Sequence, residues 1–127
     1  MNYKFTKSER LCSLKLIEAL MQRNNPSFLS FPFVFSWKEV NLLPGIKAQV
    51  LISVSKKKFK RAVDRNKIKR LVREAYRLNK HTLYDQLEAK QLILHINYIA
   101  PKIPDYHGVE DVVKLGLKRI INEITKA

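Results

Sequence analysis

The chain has 127 residues, with 25 Lys or Arg against 11 Asp or Glu, a formal charge of +14 and a pI near 10.1. That length supports one domain around one modest core, and the charge calls for a polyanionic partner while no motif calls for a small-molecule substrate. The single cysteine, Cys12, excludes an intrachain disulfide or a cysteine-based zinc site, and no run approaches the roughly 18 apolar residues of a membrane span. The first ten residues lack the apolar stretch of a secretory signal, so no membrane partner and a cytoplasmic location are expected.

Residues 1–12 read as a basic, partly flexible arm whose Tyr3 and Phe5 tuck against the body of a single domain spanning 1–127. Ser13 is suited to cap a short helix over about 14–22, with Leu14, Ile17 and Met21 on one side and Leu16 and Leu20 nearby. Arg23-Asn24-Asn25-Pro26 ends it, because the residue before a proline avoids helical backbone. Next, Phe31, Phe33, Phe35 and Trp37 share one strand parity and Val34 and Ser36 the other. Pro32 cannot donate to a ladder, which marks an edge or the opening of the strand. Most of the aromatic row reads as core; the functional alternative is that one or two rings line a groove where unpaired bases stack. Leu43-Pro44-Gly45 supplies a chain reversal. The following strand, about 47–55, places Ala48, Val50, Ile52 and Val54 on one face and Gln49, Leu51, Ser53 and Ser55 on the other.

Residues 56–80 hold twelve of the 25 basic side chains, opposed only by Asp64 and Glu74. At about 100° per residue, Ile68, Leu71, Val72 and Ala75 gather on one side of a helix and Asn66, Lys69, Arg70, Arg73 and Arg77 on the other. Cations at i and i+4, such as Lys69/Arg73 and Arg73/Arg77, destabilise an isolated helix by roughly 0.2–0.5 kcal/mol per pair. A polyanion reverses that sign, and the planar fork of arginine suits phosphate oxygens. A merely solvated face would mix Glu with Lys. The apolar arc is short and is needed for the core, which argues against a membrane surface.

A second apolar strand, about 91–99, sets Leu92, Leu94, Ile96 and Tyr98 on one face and Ile93, His95, Asn97 and Ile99 on the other. Strand, helix, strand in sequence predicts a parallel pair joined by a crossover. His95 and Asn97, with Gln49 and Ser53, form a polar strip that either touches RNA or is ordinary solvated strand surface. Pro101 and Pro104 close the strand, Asp105-Tyr106-His107-Gly108 reads as a loop, and a final helix over about 109–125 carries Val109, Val112, Val113, Leu117, Ile120, Ile121 and Ile124 on a broad apolar side. Glu110 and Asp111 sit at its positive end.

The run Val54-Ser55-Lys56-Lys57, then Arg61-Ala62, then Arg65-Asn66-Lys67-Ile68-Lys69-Arg70-Leu71-Val72-Arg73-Glu74-Ala75 resembles the signature of the bacterial ribonuclease P protein component. Two departures stand out: the usual Arg-Asn-Arg reads Arg65-Asn66-Lys67, and Phe59-Lys60 stands where many members have a glycine, a change that concerns loop shape only. The resemblance implies an α+β fold in the order α-β-β-(β)-α-β-α, a small mixed sheet of three to four strands with three helices, and a left-handed βαβ crossover against the usual right-handed preference. It also implies the function: protein subunit of an endoribonuclease in which a catalytic RNA, acting with Mg2+, removes the 5′ leader of precursor tRNA.

Carried over residue by residue, Lys56, Lys57, Arg65, Asn66, Lys69, Arg70 and Arg73 match the basic signature and contact the catalytic RNA, with Arg61, Lys67 and Arg77 adding charge. The implied leader groove, between the first helix and the sheet, draws on Leu16, Leu20, Phe35, Trp37, Ser53 and His95. No protein-borne catalytic site or metal site is expected: His81, His95 and His107 lie on different elements without ligand spacing, the carboxylates are scattered, and with three glycines there is no phosphate loop. The alternatives are a general RNA chaperone or ribosome-associated protein and, more remotely, a self-sufficient nuclease.

Overall fold

The computed structural model describes residues 5–125. Its elements are α1 (Leu14–Leu20), β1 (Ser27–Ser30), β2 (Phe33–Glu39), β3 (Ala48–Val54), α2 (Ala62–Leu87), β4 (Leu92–Tyr98) and α3 (Tyr106–Thr125), with one 3-10 turn at Lys7–Glu9. The strands form one mixed sheet in the order β1-β2-β4-β3. β1–β2 and β2–β4 are antiparallel, whereas β3 and β4 run parallel across the α2 connection. This is the α+β architecture that the family resemblance implies, with three helices and four strands.

Period-two alternation divides the sheet into two unlike faces. On one, the rows Phe28–Phe35–Ile96–Ile52 and Trp37–Leu94–Val50 lie in register beneath α2 and α3. Phe28 stacks on Phe35 with centroids 5.2 Å apart. Ile68, Val72, Ala75, Tyr76 and Leu83 of α2, with Val109, Val113, Leu117 and Ile120 of α3, complete this core. Gly116 lets α3 approach closely, since the Phe35 ring occupies the space that a side chain would need.

On the other face, α1 covers only one end, where Leu11, Leu20 and Ile93 form a small second core with Leu16, Ile17 and Leu51 at its edge. The rest presents two rows, Leu29–Val34–Asn97–Ser53 and Ser27–Ser36–His95–Leu51. They lie exposed or half-buried beside α1.

Several expectations are refined. The aromatic strand begins earlier, as a hairpin: β1 precedes it, Phe31-Pro32 forms the tip with a cis peptide bond, and Phe31 is 66% exposed. Phe28 therefore fills the core position that strand parity assigned to Phe31. Ser13 caps α1 by accepting from Leu16 N at 3.3 Å, but the helix stops at Leu20. There the Asn25 amide donates to the carbonyls of Ala19 (2.6 Å) and Leu20 (2.9 Å). Gly45 takes a φ of +89° in the turn that reverses the chain. The supposed loop at 105–108 is instead the cap and first turn of α3, because Asp105 Oδ1 accepts from Gly108 N at 2.7 Å. Glu110 does more than face the helix dipole: Asn79 Nδ2 and Tyr106 OH donate to it at 3.3 and 3.2 Å, tying α3 to α2.

Candidate nucleic-acid interface

The polar side of α2 and the loop leading into it form one cationic surface. Lys56, Lys57, Arg61, Asn66, Lys67 and Arg70 are exposed, and Lys69 and Arg73 half-buried. Among the described residues no carboxylate pairs with Arg70 or Arg73; the ion pairs formed are Arg77–Glu74 and Lys80–Glu9. Burial first, and then the neighbouring guanidinium groups of Arg10 and Arg70, hold the Arg73 guanidinium below its ordinary value. It remains charged at neutral pH, so like charges are being held together.

Two of the predicted contacts have intramolecular tasks. Arg65 Nη1 donates to the carbonyls of Phe59 (2.8 Å) and Lys60 (2.9 Å), clamping the loop onto the first turn of α2. Arg77 donates to Glu74 through Nε at 3.1 Å and through Nη2, so much of its charge is balanced within the helix. Phe59 is not a matter of loop shape alone. It is buried against Tyr98, with centroids 6.3 Å apart, and anchors the loop in the main core. Lys58 Nζ adds a bond to the Ile99 carbonyl.

The six residues proposed for the groove separate into two sets. Phe35 and Trp37, at 0% and 8% exposure, face the α2–α3 side of the sheet, and Leu20, at 2%, is consumed in packing α1 onto Ile93. None of the three is available to stack a base, because parity and helix packing point them inward. Leu16, Ser53 and His95 remain half-buried on the α1 side of the sheet. Ser53 Oγ donates to Asn97 Oδ1 at 2.9 Å and contacts His95 Nε2 at 2.7 Å. A hydroxyl has one proton, so this arrangement makes Nε2 the donor and leaves Nδ1 as an acceptor. Burial lowers the pKa of His95, which keeps the imidazole neutral. Gln49 is not part of this strip: its amide donates to Ser8 O at 3.0 Å. Val34 and Ser36 join instead, and the parity opposite to the aromatic row was the signal for them.

What the sequence motif did not disclose is the fastening of the N-terminal segment. Glu9 accepts from Lys80 Nζ at 2.8 and 2.7 Å, from Tyr84 OH at 2.6 Å and from Thr6 N at 2.9 Å. Burial alone would raise its pKa, but Lys80, Thr6 and Tyr84 together hold the carboxyl below the usual range. The same enclosure pushes the Tyr84 and Tyr76 hydroxyls upward. Tyr3 lies outside the described residues, while Phe5 meets Tyr76 edge-on at 5.9 Å. A lone acid in a basic arm was the one available hint.

The sequence profile of the family described as Ribonuclease P matches residues 5–104. The chain belongs to the ribonuclease P protein family. A "Ribonuclease P protein component" from Porphyromonas gingivalis is 36% identical over 121 residues, covering 94% of this chain and 88% of that one. The ribonuclease P protein from Thermotoga maritima superposes with a TM-score of 0.68 at 25% identity, covering 87% and 96% of the two chains. That from Staphylococcus aureus gives 0.66 at 25% identity, covering 90% and 96%. A ribonuclease P protein is the accessory subunit of a ribonucleoprotein endoribonuclease in tRNA processing, so RNA is this chain's partner. No helix among the described residues is long and apolar enough to cross a membrane.

Proposed function

We propose that the cationic side of α2, with the Lys56–Lys57 loop, binds the phosphate backbone of the catalytic RNA of ribonuclease P, and that the half-buried strip of sheet beside α1 receives the unpaired 5′ leader of precursor tRNA. The observation that carries this reading is the alignment of Lys69, Arg70 and Arg73 on one side of a rigid helix without a carboxylate against Arg70 or Arg73. Each phosphate neutralised releases condensed counterions, with a salt slope of about −0.7 to −0.9 per contact. Ser53, Asn97 and the neutral His95 offer the leader hydrogen-bonding partners, and Leu16 and Val34 offer apolar contact. Mg2+ acts in this proposal through the catalytic RNA, as the family resemblance implies; among the described residues no group of three or more His, Cys, Asp or Glu is placed to hold a metal ion. The proposed setting is the cytoplasm.

Reconstitution tests this reading. Purified protein, the catalytic RNA and a precursor tRNA are mixed at low Mg2+, with Arg70→Ala/Arg73→Ala alongside. Cleavage should require both macromolecules. The double variant should stay folded, bind the RNA more weakly and show a flatter salt dependence. Binding without stimulated cleavage would favour the chaperone reading, and cleavage by protein alone a self-sufficient nuclease.

A further inference from the structure

The N-terminal segment is a strap fastened to two elements. On the edge of β3, Leu11 N donates to Val50 O at 3.0 Å and Gln49 holds Ser8. On α2, Glu9 is gripped by Lys80 and Tyr84, and Phe5 rests on Tyr76. Arg10 lies between these anchor points. Its backbone forms a parallel bridge with Val50, and its guanidinium carbon is 5.9 Å from the Phe5 ring centroid. Tyr76, which carries that ring, is one turn along α2 from Arg73. The strap therefore brings an exposed guanidinium from the far end of the sequence to the cationic side of α2.

We propose that Arg10 joins Arg70 and Arg73 in a single site for an RNA phosphate group, and that Glu9 is the positioning residue that sets Arg10 there by locking the strap to Lys80. This inference rests on the reading of α2 as the RNA-binding face. Three guanidinium groups without a carboxylate among them repel one another until an anion enters, and their planar forks fit phosphate oxygens. Burial contributes most to the lowered proton affinity of Arg73, and the charges of Arg10 and Arg70 add to it in the same direction. The signature motif supplies two of the three groups. The third is invisible to it, because Arg10 is distant in sequence and is delivered by the fold.

The test is equilibrium binding of the full chain to the catalytic RNA across a salt series, with thermal melts of each variant. Arg10→Ala should weaken binding on the order of tenfold at low salt and reduce the magnitude of the logarithmic salt slope by about 0.7–0.9. Arg10→Lys should restore part of the loss, since it keeps the charge without the fork. In a Glu9→Ala background, Arg10→Ala should add nothing, because the strap no longer presents it. The same cost in both backgrounds would remove the positioning role of Glu9. Wild-type affinity and slope for Arg10→Ala, with Arg73→Ala still weakened, would overturn the three-arginine site and leave the α2 interface standing. Silence of both variants in folded protein would instead overturn the α2 reading. Arg10 is a surface side chain, so the decision does not depend on whether Glu9→Ala folds.

Discussion

Helix α2 carries two kinds of cation that its sequence does not distinguish. Arg70 and Arg73 stand beside like charges with no carboxylate against them, whereas Lys80, at 3% exposure, is enclosed with Glu9 and Tyr84. The difference lies entirely in what the rest of the chain brings to each place. One group is stored repulsion that an anion relieves. The other is a buried pair whose desolvation is offset by a full set of hydrogen bonds. Counting basic residues therefore measures affinity for RNA only after the internally used ones are subtracted.

Substitutions at the two places should shift stability in opposite directions. Lys80→Met should be the most damaging, at about 3–5 kcal/mol in urea unfolding, because it strands the Glu9 carboxylate. Pairing it with Glu9→Leu should recover much of the loss; no recovery would mean that Lys80 matters through packing alone. Gly116→Ala, away from both cation groups, should cost about 1–3 kcal/mol by driving a methyl group into the Phe35 ring. It sets the scale for pure overpacking against which the ion pair is judged.

Of these two places, acid should act on the enclosed pair and leave Arg70 and Arg73 charged. The Glu9 pKa is depressed in the folded protein, so its contribution is complete above the unfolded value of about 4.3 and fades as pH falls through the lower folded value. Amide exchange over residues 5–11 should accelerate in that window, and protection that persists at the lowest pH would show the strap to be held without the carboxylate. The smallest effect has the opposite sign. Arg70→Gln/Arg73→Gln should raise the stability of the free protein by a few tenths of a kcal/mol at low salt, a gain that vanishes once the charges are screened.

Periodic features of the sequence were legible for physical reasons. The apolar arc of α2, the alternation in β3 and β4, the Ser13 cap and the Leu43-Pro44-Gly45 reversal each depend on residues close in the chain. The unread features depend on distant partners. β1 is only four residues long, and its Phe28 could not be preferred over Phe31 without knowing that the chain turns at Pro32. Phe35 and Trp37 were open to assignment on either side of the sheet until α2 and α3 fixed the covered face. Lys80 and Glu9 lie 71 positions apart, so nothing local marks them as a pair. Ser53 and His95, by contrast, were readable as a strip because parallel strands put the same parity on the same face.

The clamp that Arg65 places on the carbonyls of Phe59 and Lys60, with Phe59 sunk into the core behind it, bears on the thermodynamics of assembly. Immobilising a long side chain or a mobile loop during association costs on the order of 0.5–1.5 kcal/mol for each rotamer-rich group. Here the backbone bearing Lys56 and Lys57 is already set before any ligand arrives. The entropy of arranging that loop is met during folding, so more of each phosphate contact survives as net affinity.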